Sequence, residues 1–154
     1  LVEDPAVGPD YAVPIDRRWF DAHPDWLARP HHDYPAIDPP VPVGTPIYAI
    51  THGKIAATTS TGRCGVGVIL EGDDGARYTY CHGKPNSVAV RAGDSARAGQ
   101  YLMQSASTGR STGPHLHLQI EVDGSLRCPG GLLQEIASGV TSTVDSLPAS
   151  TCTA

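Results

Sequence analysis

The sequence predicts an all-β domain, built mainly from antiparallel sheet, with a short C-terminal helix and an irregular N-terminal lead-in. The 154 residues include 17 glycines and 14 prolines, which disfavour long helices. From residue 41 to residue 120, short apolar and β-branched runs lie between glycine-containing turns. No helical period appears in that stretch, so many short strands joined by close turns are expected.

The N-terminal lead-in covers residues 1–31 and is expected to pack on the domain formed by residues 32–154. Its segment DRRWFDAHPDWLARP predicts one short helix that carries Trp19 and Trp26. Pro24 interrupts this helix and is expected to start a second turn, because proline lacks the amide hydrogen that a helix interior needs.

The strands follow in chain order from their composition. They are predicted at PIYAI, KIAAT, GVGVILE, ARYTYCHG, SVAV, QYLMQS and HLHLQIEV. The last of these is the clearest strand, because polar and apolar residues alternate over its whole length. After Asp123-Gly124 the segment LLQEIAS has helical spacing, with Pro129 expected as the first helical residue and Gly139 as the end. The tail to Ala154 is expected on the surface.

The four cysteines predict two disulfides. Cys64 and Cys81 lie symmetrically about the turn in EGDDGA, which favours a cross-strand bridge between them. That pairing leaves Cys128 with Cys152. Four reduced thiols in a cytosolic protein remain the alternative, since cysteine usage alone does not decide the compartment.

Composition also disfavours several classes of partner. The formal net charge is −5 and no cluster of lysine and arginine is visible, so nucleic-acid binding is not expected. No apolar run reaches the length of a membrane span, and none is expected. We expect a monomer.

Two histidines stand on one face of the clearest strand. In HLHLQI, His115, His117 and Gln119 share a face, and leucines occupy the other. Two imidazoles about 7 Å apart at their Cβ atoms can converge on one ion and its water. The alternative is a polar, solvent-facing surface that happens to hold two histidines.

Further candidate groups lie earlier in the chain. His32 and Asp38 flank DYPAI, and two histidines with one aspartate form a ligand set suited to catalytic zinc. A surface turn of polar residues is the alternative for this segment. His82 ends the run YTYCH, where strict alternation places it on the face of Tyr80 and opposite Cys81.

Taken together, these segments resemble the lysostaphin-like zinc metalloendopeptidases of bacterial cell-wall turnover. The matching pieces are HHDYPAID, PVGTPIYAITHGKI, YTYCHG and VRAGDSARAGQYLMQSASTGRSTGPHLHLQI, which cover about residues 31–122 in order. The resemblance implies a compact lysostaphin-type antiparallel β domain with its site in a groove between loops. It also implies a secreted or otherwise extracytoplasmic protein of the cell envelope.

The resemblance assigns roles by position. It implies His32, Asp38 and His117 as Zn2+ ligands, with His82 and His115 acting on water and oxyanion in an undecided order. The implied substrate is a peptide of peptidoglycan, either a stem peptide or a cross-bridge, and the bond that is cut stays open. The alternative is a non-hydrolytic domain of the same fold that binds the cell wall or activates other hydrolases.

Three positions depart from the family pattern. Five residues separate His32 from Asp38 where the family usually has three, so a longer turn is needed and His31 is a possible substitute ligand. Pro39-Pro40 follow the aspartate, which predicts an edge or bulged strand because proline cannot donate to a ladder. Gly83 stands where an apolar residue often follows the catalytic histidine.

Overall fold

The structure, a computed structural model, describes residues 10–27, 34–138, 144 and 147–149. Its elements in chain order are α1 (Arg17–Ala22), a 3-10 helix (Pro24–Leu27), β1 (Pro46–Tyr48), β2 (Gly53–Thr61), β3 (Gly65–Gly72), β4 (Arg77–Gly83), β5 (Ser95–Ala96), β6 (Tyr101–Gln104), β7 (His117–Val122), β8 (Ser125–Arg127) and α2 (Gly130–Ala137).

Two antiparallel sheets form the domain. Six strands pair in the order β5-β2-β3-β4-β7-β8, and β1 pairs with β6 in a separate two-stranded sheet. Every pairing in both sheets is antiparallel. The prediction of a mainly antiparallel β domain with a short C-terminal helix is therefore confirmed.

One apolar core lies on the inner face of the large sheet. Leu70, Tyr80 and Leu118, from the three central strands, are fully buried there. The buried hydroxyl of Tyr80 has a hydrogen-bond partner, because it accepts from the Ile50 amide at 3.0 Å. Helix α2 adds buried side chains from its apolar face, including Ile136.

The described part of the lead-in packs on this core. Asp16 caps α1 by accepting a hydrogen bond from the Arg18 amide, as short polar N-cap residues do. Trp19 and Trp26 stack with ring centroids 5.8 Å apart, and Phe20 is buried. The boundary placed between residues 31 and 32 stays a prediction, because residues 28–33 lie outside the described part.

The structure corrects some details of the strand assignments. SVAV is not a strand, although Ala89 donates one backbone hydrogen bond to Leu102. Strands β5 and β8 were not predicted. The second exists because Asp123 and Gly124 both have positive φ, which allows a tight two-residue hairpin. Pro129 precedes α2 as its N-cap residue and is not its first residue. The predicted helix end, Gly139, lies outside the described residues.

The disulfide prediction is confirmed for one pair. Cys64 and Cys81 are bonded across a sequence separation of 17. Cys128 is also disulfide-bonded, and its predicted partner, Cys152, lies outside the described residues. No helix in the described part of the chain is long and apolar enough to span a membrane.

Candidate active site

Asp38 and His117 lie opposite each other on neighbouring chain segments. Ile37 and Leu118 exchange two backbone hydrogen bonds, of 3.1 and 3.0 Å. The next pair along, Asp38 and His117, is therefore a non-hydrogen-bonded pair, in which side chains lie closest. Its side chains meet, with 2.7 Å between Asp38 Oδ1 and His117 Nδ1.

The Asp38 segment forms an isolated bridge and not a strand. Ile37 bridges Leu118, and Pro39 accepts a hydrogen bond from the Leu116 amide at 3.0 Å. Pro39 has no amide hydrogen to donate, which explains why the pairing does not continue as a ladder. The predicted edge strand is thus reduced to one bridge at the edge of β7, which is enough to fix Asp38.

His117 is buried and has acceptor oxygens at both ring nitrogens. Its Nδ1 faces Asp38 Oδ1, and its Nε2 lies 2.9 Å from Gln119 Oε1. The Tyr34 hydroxyl lies 3.3 Å from the same Nε2. A neutral imidazole carries only one N–H. The tautomer that donates from Nε2 to Gln119 leaves the Nδ1 lone pair facing Asp38, where a cation could contact both side chains.

His82 lies at a β-bulge. In the β3–β4 ladder Val68 pairs with Tyr80 but Val66 pairs with Gly83, so β4 has one residue more than β3. His82 itself has φ of 65°, the left-handed region that non-glycine residues seldom adopt. Bulges re-aim side chains next to functional sites, and this one turns His82 out of the regular alternation.

The face predicted for His82 is consequently wrong. Tyr78 and Tyr80 belong to the core, whereas His82 lies beside His115, with ring centroids 4.6 Å apart. Cys81 lines the same groove as His82. The Cys64–Cys81 disulfide therefore lies on the groove side of β4, on the same side as His82.

Backbone carbonyl oxygens fix the imidazole rings of His82 and His115. His82 Nδ1 lies 2.7 Å from the Thr108 carbonyl oxygen, and His115 Nδ1 lies 2.8 Å from that of Gly113. Carbonyl oxygens only accept, so each Nδ1 carries the hydrogen, and Nε2 is the nitrogen left for proton transfer. His115 Nε2 lies 3.7 Å from Asp38 Oδ1.

The surroundings of His82 favour its neutral form. Burial is the main cause that lowers its pKa, opposed by the hydrogen bond to the Thr108 carbonyl. The neighbouring His115 and His117 lower the pKa further. A neutral His82 has an unprotonated Nε2 at neutral pH and can accept a proton there.

These groups line a groove of about 510 Å³. The groove is lined by Tyr34, Asp38, Pro40, Arg63, Cys64, Cys81, His82, Arg110, Ser111, Thr112, Gly113, Pro114, His115 and His117. Its size is in the range of sites that hold small organic ligands or a few peptide residues.

The structure brings together four of the five predicted site residues: Asp38, His82, His115 and His117. The fifth, His32, and its possible substitute His31 lie outside the described residues. Within the described part of the chain, no three histidine, cysteine or acidic side chains form a group that could hold a metal. The described residues thus contain two of the three predicted ligands, and the ligand set stays a prediction.

Sequence reasoning missed two side chains that contact His117. Gln119 was recognised as sharing the histidine face, and this spacing was the available signal for its contact. Three residues separate Tyr34 from Asp38, and this is the spacing that the family pattern has between its first histidine and the aspartate. A phenol therefore stands where that pattern has an imidazole, which leaves the neighbouring histidines of HHDY as candidates for the missing ligand.

Comparison with known sequences identifies the family. The model of peptidase family M23 matches residues 32–129, well over half of the chain. The chain is 31% identical over 120 residues to the peptidoglycan DD-endopeptidase ShyA of Vibrio cholerae, covering 72% of this chain and 27% of that protein. It is 43% identical over 79 residues to the glycyl-glycine endopeptidase ALE-1 of Staphylococcus capitis, covering 50% and 21%. The chain thus spans about a quarter of the length of these relatives.

A solved structure supports the same assignment. The catalytic domain of the antimicrobial peptidase lysostaphin from Staphylococcus simulans superposes with a TM-score of 0.61 and 28% identity. The match covers 78% of this chain and 98% of that domain. The fold matches that of the lysostaphin domain, and the family model covers the segment that contains the histidine strand. The chain belongs to peptidase family M23.

Proposed function

We propose that this chain is a zinc-dependent endopeptidase that hydrolyses peptide bonds of peptidoglycan by attack of water. The observation that carries the proposal is the convergence of Asp38, His82, His115 and His117 at one groove. Membership of the M23 family and the names of its relatives support the same reaction class.

The proposed zinc ligands are Asp38, His117 and His32. The first two fit the ion, because His117 presents Nδ1 to a carboxylate oxygen while Gln119 occupies its other nitrogen. When bound, zinc would lower the pKa of water and polarise the scissile carbonyl. Three protein ligands with one carboxylate suit a catalytic site better than a structural one, which is normally closed by four.

The remaining imidazoles, those of His82 and His115, would act on the proton of the attacking water and on the oxyanion. We assign His82 as the proton acceptor, because its lowered pKa keeps Nε2 unprotonated and Thr108 fixes the ring. His115 is held by Gly113 through Nδ1, with its Nε2 on the Asp38 side. As an imidazolium it would donate from Nε2 and stabilise the oxyanion that develops on the substrate. The substrate backbone would lie extended along the groove.

We also propose that the protein acts outside the cytoplasm. Peptidoglycan lies there, and the Cys64–Cys81 bond is of a kind that persists in oxidising compartments.

The central experiment is mass spectrometry of purified peptidoglycan after incubation with the protein, with and without a chelator. Release of cleaved peptides only in the absence of chelator is expected. Tight binding to the sacculi without any cleaved product would instead identify the non-hydrolytic, wall-binding or hydrolase-activating function.

Two substitutions separate metal binding from stabilisation of the oxyanion. His117→Ala should abolish stoichiometric zinc uptake, whereas His115→Ala should retain zinc and lose about two to three orders of magnitude in kcat. His52→Ala is a matched control, because this histidine does not line the groove. Full hydrolysis by both groove variants would refute the assignment.

A further inference from the structure

Two arginines line the groove together with the histidines. Arg63 and Arg110 come from different loops, and the Arg110 amide donates a hydrogen bond to the Arg63 carbonyl at 2.9 Å. The loops touch backbone to backbone, since a Cβ atom on Gly109 would lie 2.5 Å from the Arg63 carbonyl oxygen. The backbones of the two arginines are thus held next to each other.

The same loops hold His82. The residue after Arg63, Cys64, accepts a hydrogen bond from the His82 amide at 2.8 Å. Thr108, two residues before Arg110, accepts one from the His82 ring at 2.7 Å. The arginine backbones therefore have a fixed position relative to an imidazole that we place at the reacting bond.

The described residues place no carboxylate beside either of the two guanidinium groups. Within the described part of the chain, neither lies at salt-bridge distance from a carboxylate, whereas Arg77 pairs with Glu71 at 2.7 Å. Among the described residues that line the groove, Asp38 is the only acidic one, and it faces His117. Two exposed cations that have no carboxylate partner among the described residues, in a chain of net charge −5, favour an anionic ligand beside them in the groove.

We propose that Arg63 and Arg110 form an anion subsite that binds a carboxylate of the peptide substrate. Guanidinium groups suit this role, because their planar N–H pairs match the two oxygens of a carboxylate. The inference rests on the proposed function and deepens it. It selects acidic stem peptides as the substrate class over uncharged oligoglycine bridges.

Equilibrium binding tests the subsite without turnover. The probes are a synthetic stem tetrapeptide with free carboxylates and the same peptide with every carboxylate converted to a carboxamide. Isothermal titration with the zinc-loaded protein should show at least about tenfold tighter binding of the acid form, which is about 1.4 kcal/mol. In R63Q/R110Q this ratio should fall severalfold, to the part that carboxylate binding to the zinc contributes.

A matched control separates the subsite from net charge. R91Q/R97Q removes the same two charges from exposed arginines outside the groove, and should keep the wild-type ratio. This comparison also corrects for carboxylate binding to the zinc, which all variants share. The wild-type ratio should decline from about 50 mM to about 500 mM salt, since exposed charges are screened. If R63Q/R110Q proves unstable, R63K/R110K should retain the charges and part of the ratio.

Each outcome bears on one proposal. No preference for the acid form, or an equal loss of preference in R91Q/R97Q, would overturn the anion subsite even if peptidoglycan is hydrolysed. A wild-type preference that is lost only with Arg63 and Arg110, in a protein that cleaves no peptidoglycan, would support the subsite and refute the proposed hydrolysis.

Discussion

Replacing Gly109 with alanine tests the close contact between the two loops that hold His82. Gly109 has φ of +76°, and a Cβ atom there would lie 2.5 Å from both the Arg63 carbonyl oxygen and the Gly65 amide nitrogen. Both neighbours are backbone atoms, so no side-chain rotation can relieve the contact. Gly124 is the matched control, because its φ is +75° and nothing lies within 4 Å of the same atom.

The expected loss of stability follows from two effects. A left-handed conformation costs an alanine about 1–2 kcal/mol, and the reduced freedom of the unfolded chain returns about 0.4–1 kcal/mol. Gly124→Ala should therefore lose about 1 kcal/mol. Gly109→Ala adds overpacking of about 1–3 kcal/mol, which gives about 2–4 kcal/mol in total.

Urea unfolding at neutral pH measures both values, and an unchanged m-value would show that the denatured state is unaffected. Hydrolysis should also fall in Gly109→Ala at temperatures where the variant is still folded, since the displaced loop holds the His82 ring through Thr108. An equal loss of stability in the two variants would refute the backbone contact.

Three further perturbations have defined outcomes. Gln119→Leu should weaken zinc binding about tenfold or more in chelator competition, because it removes the acceptor at His117 Nε2; unchanged affinity would exclude this orienting role. The double substitution of Cys64 and Cys81 by serine should cost about 3 kcal/mol in urea unfolding, given the sequence separation of 17, and a loss below about 1 kcal/mol would contradict that. Burial, with the adjacent Asp74 carboxylate, raises the pKa of Tyr78 far above its usual value. Stability should be complete below about pH 10 and decline above it as the unfolded phenol ionises, and Tyr78→Phe should reduce that decline.

The sheet was predictable because its strands keep a regular alternation. HLHLQIEV has the period of two that a half-buried strand requires, and β7 indeed buries Leu118 and Ile120. The Cys64–Cys81 pairing was predicted correctly, but symmetry about the turn is not its cause. The β3–β4 register pairs Val68 with Tyr80, and Cys64 lies in the turn before β3, so the two cysteines are not directly opposite. Only the alternation of β7 is a local property of the chain.

The position of His82 was not predictable by the same reasoning. An extra residue in β4 exists only relative to its partner strand, and counting residues along one strand cannot show it. Gly67 explains the site of the bulge, because a Cβ atom there would lie 2.5 Å from Cys64 Sγ and from the Tyr80 carbonyl oxygen. This close approach depends on tertiary structure.

The location of the site follows from where regular pairing fails. In a regular strand a side chain faces either the core or solvent, and histidines on separate strands do not converge. Here Asp38 follows a single bridge at the edge of β7, and His82 occupies a bulge. Within the described ranges His115 forms a single β-bridge, to Ala106, whose amide in turn donates to the His82 carbonyl at 2.8 Å. These irregular positions meet at the start of β7 and the end of β4, which are antiparallel neighbours. Sheet regularity therefore supplies the rigid support, and its local interruption at one end turns the polar groups toward a common groove.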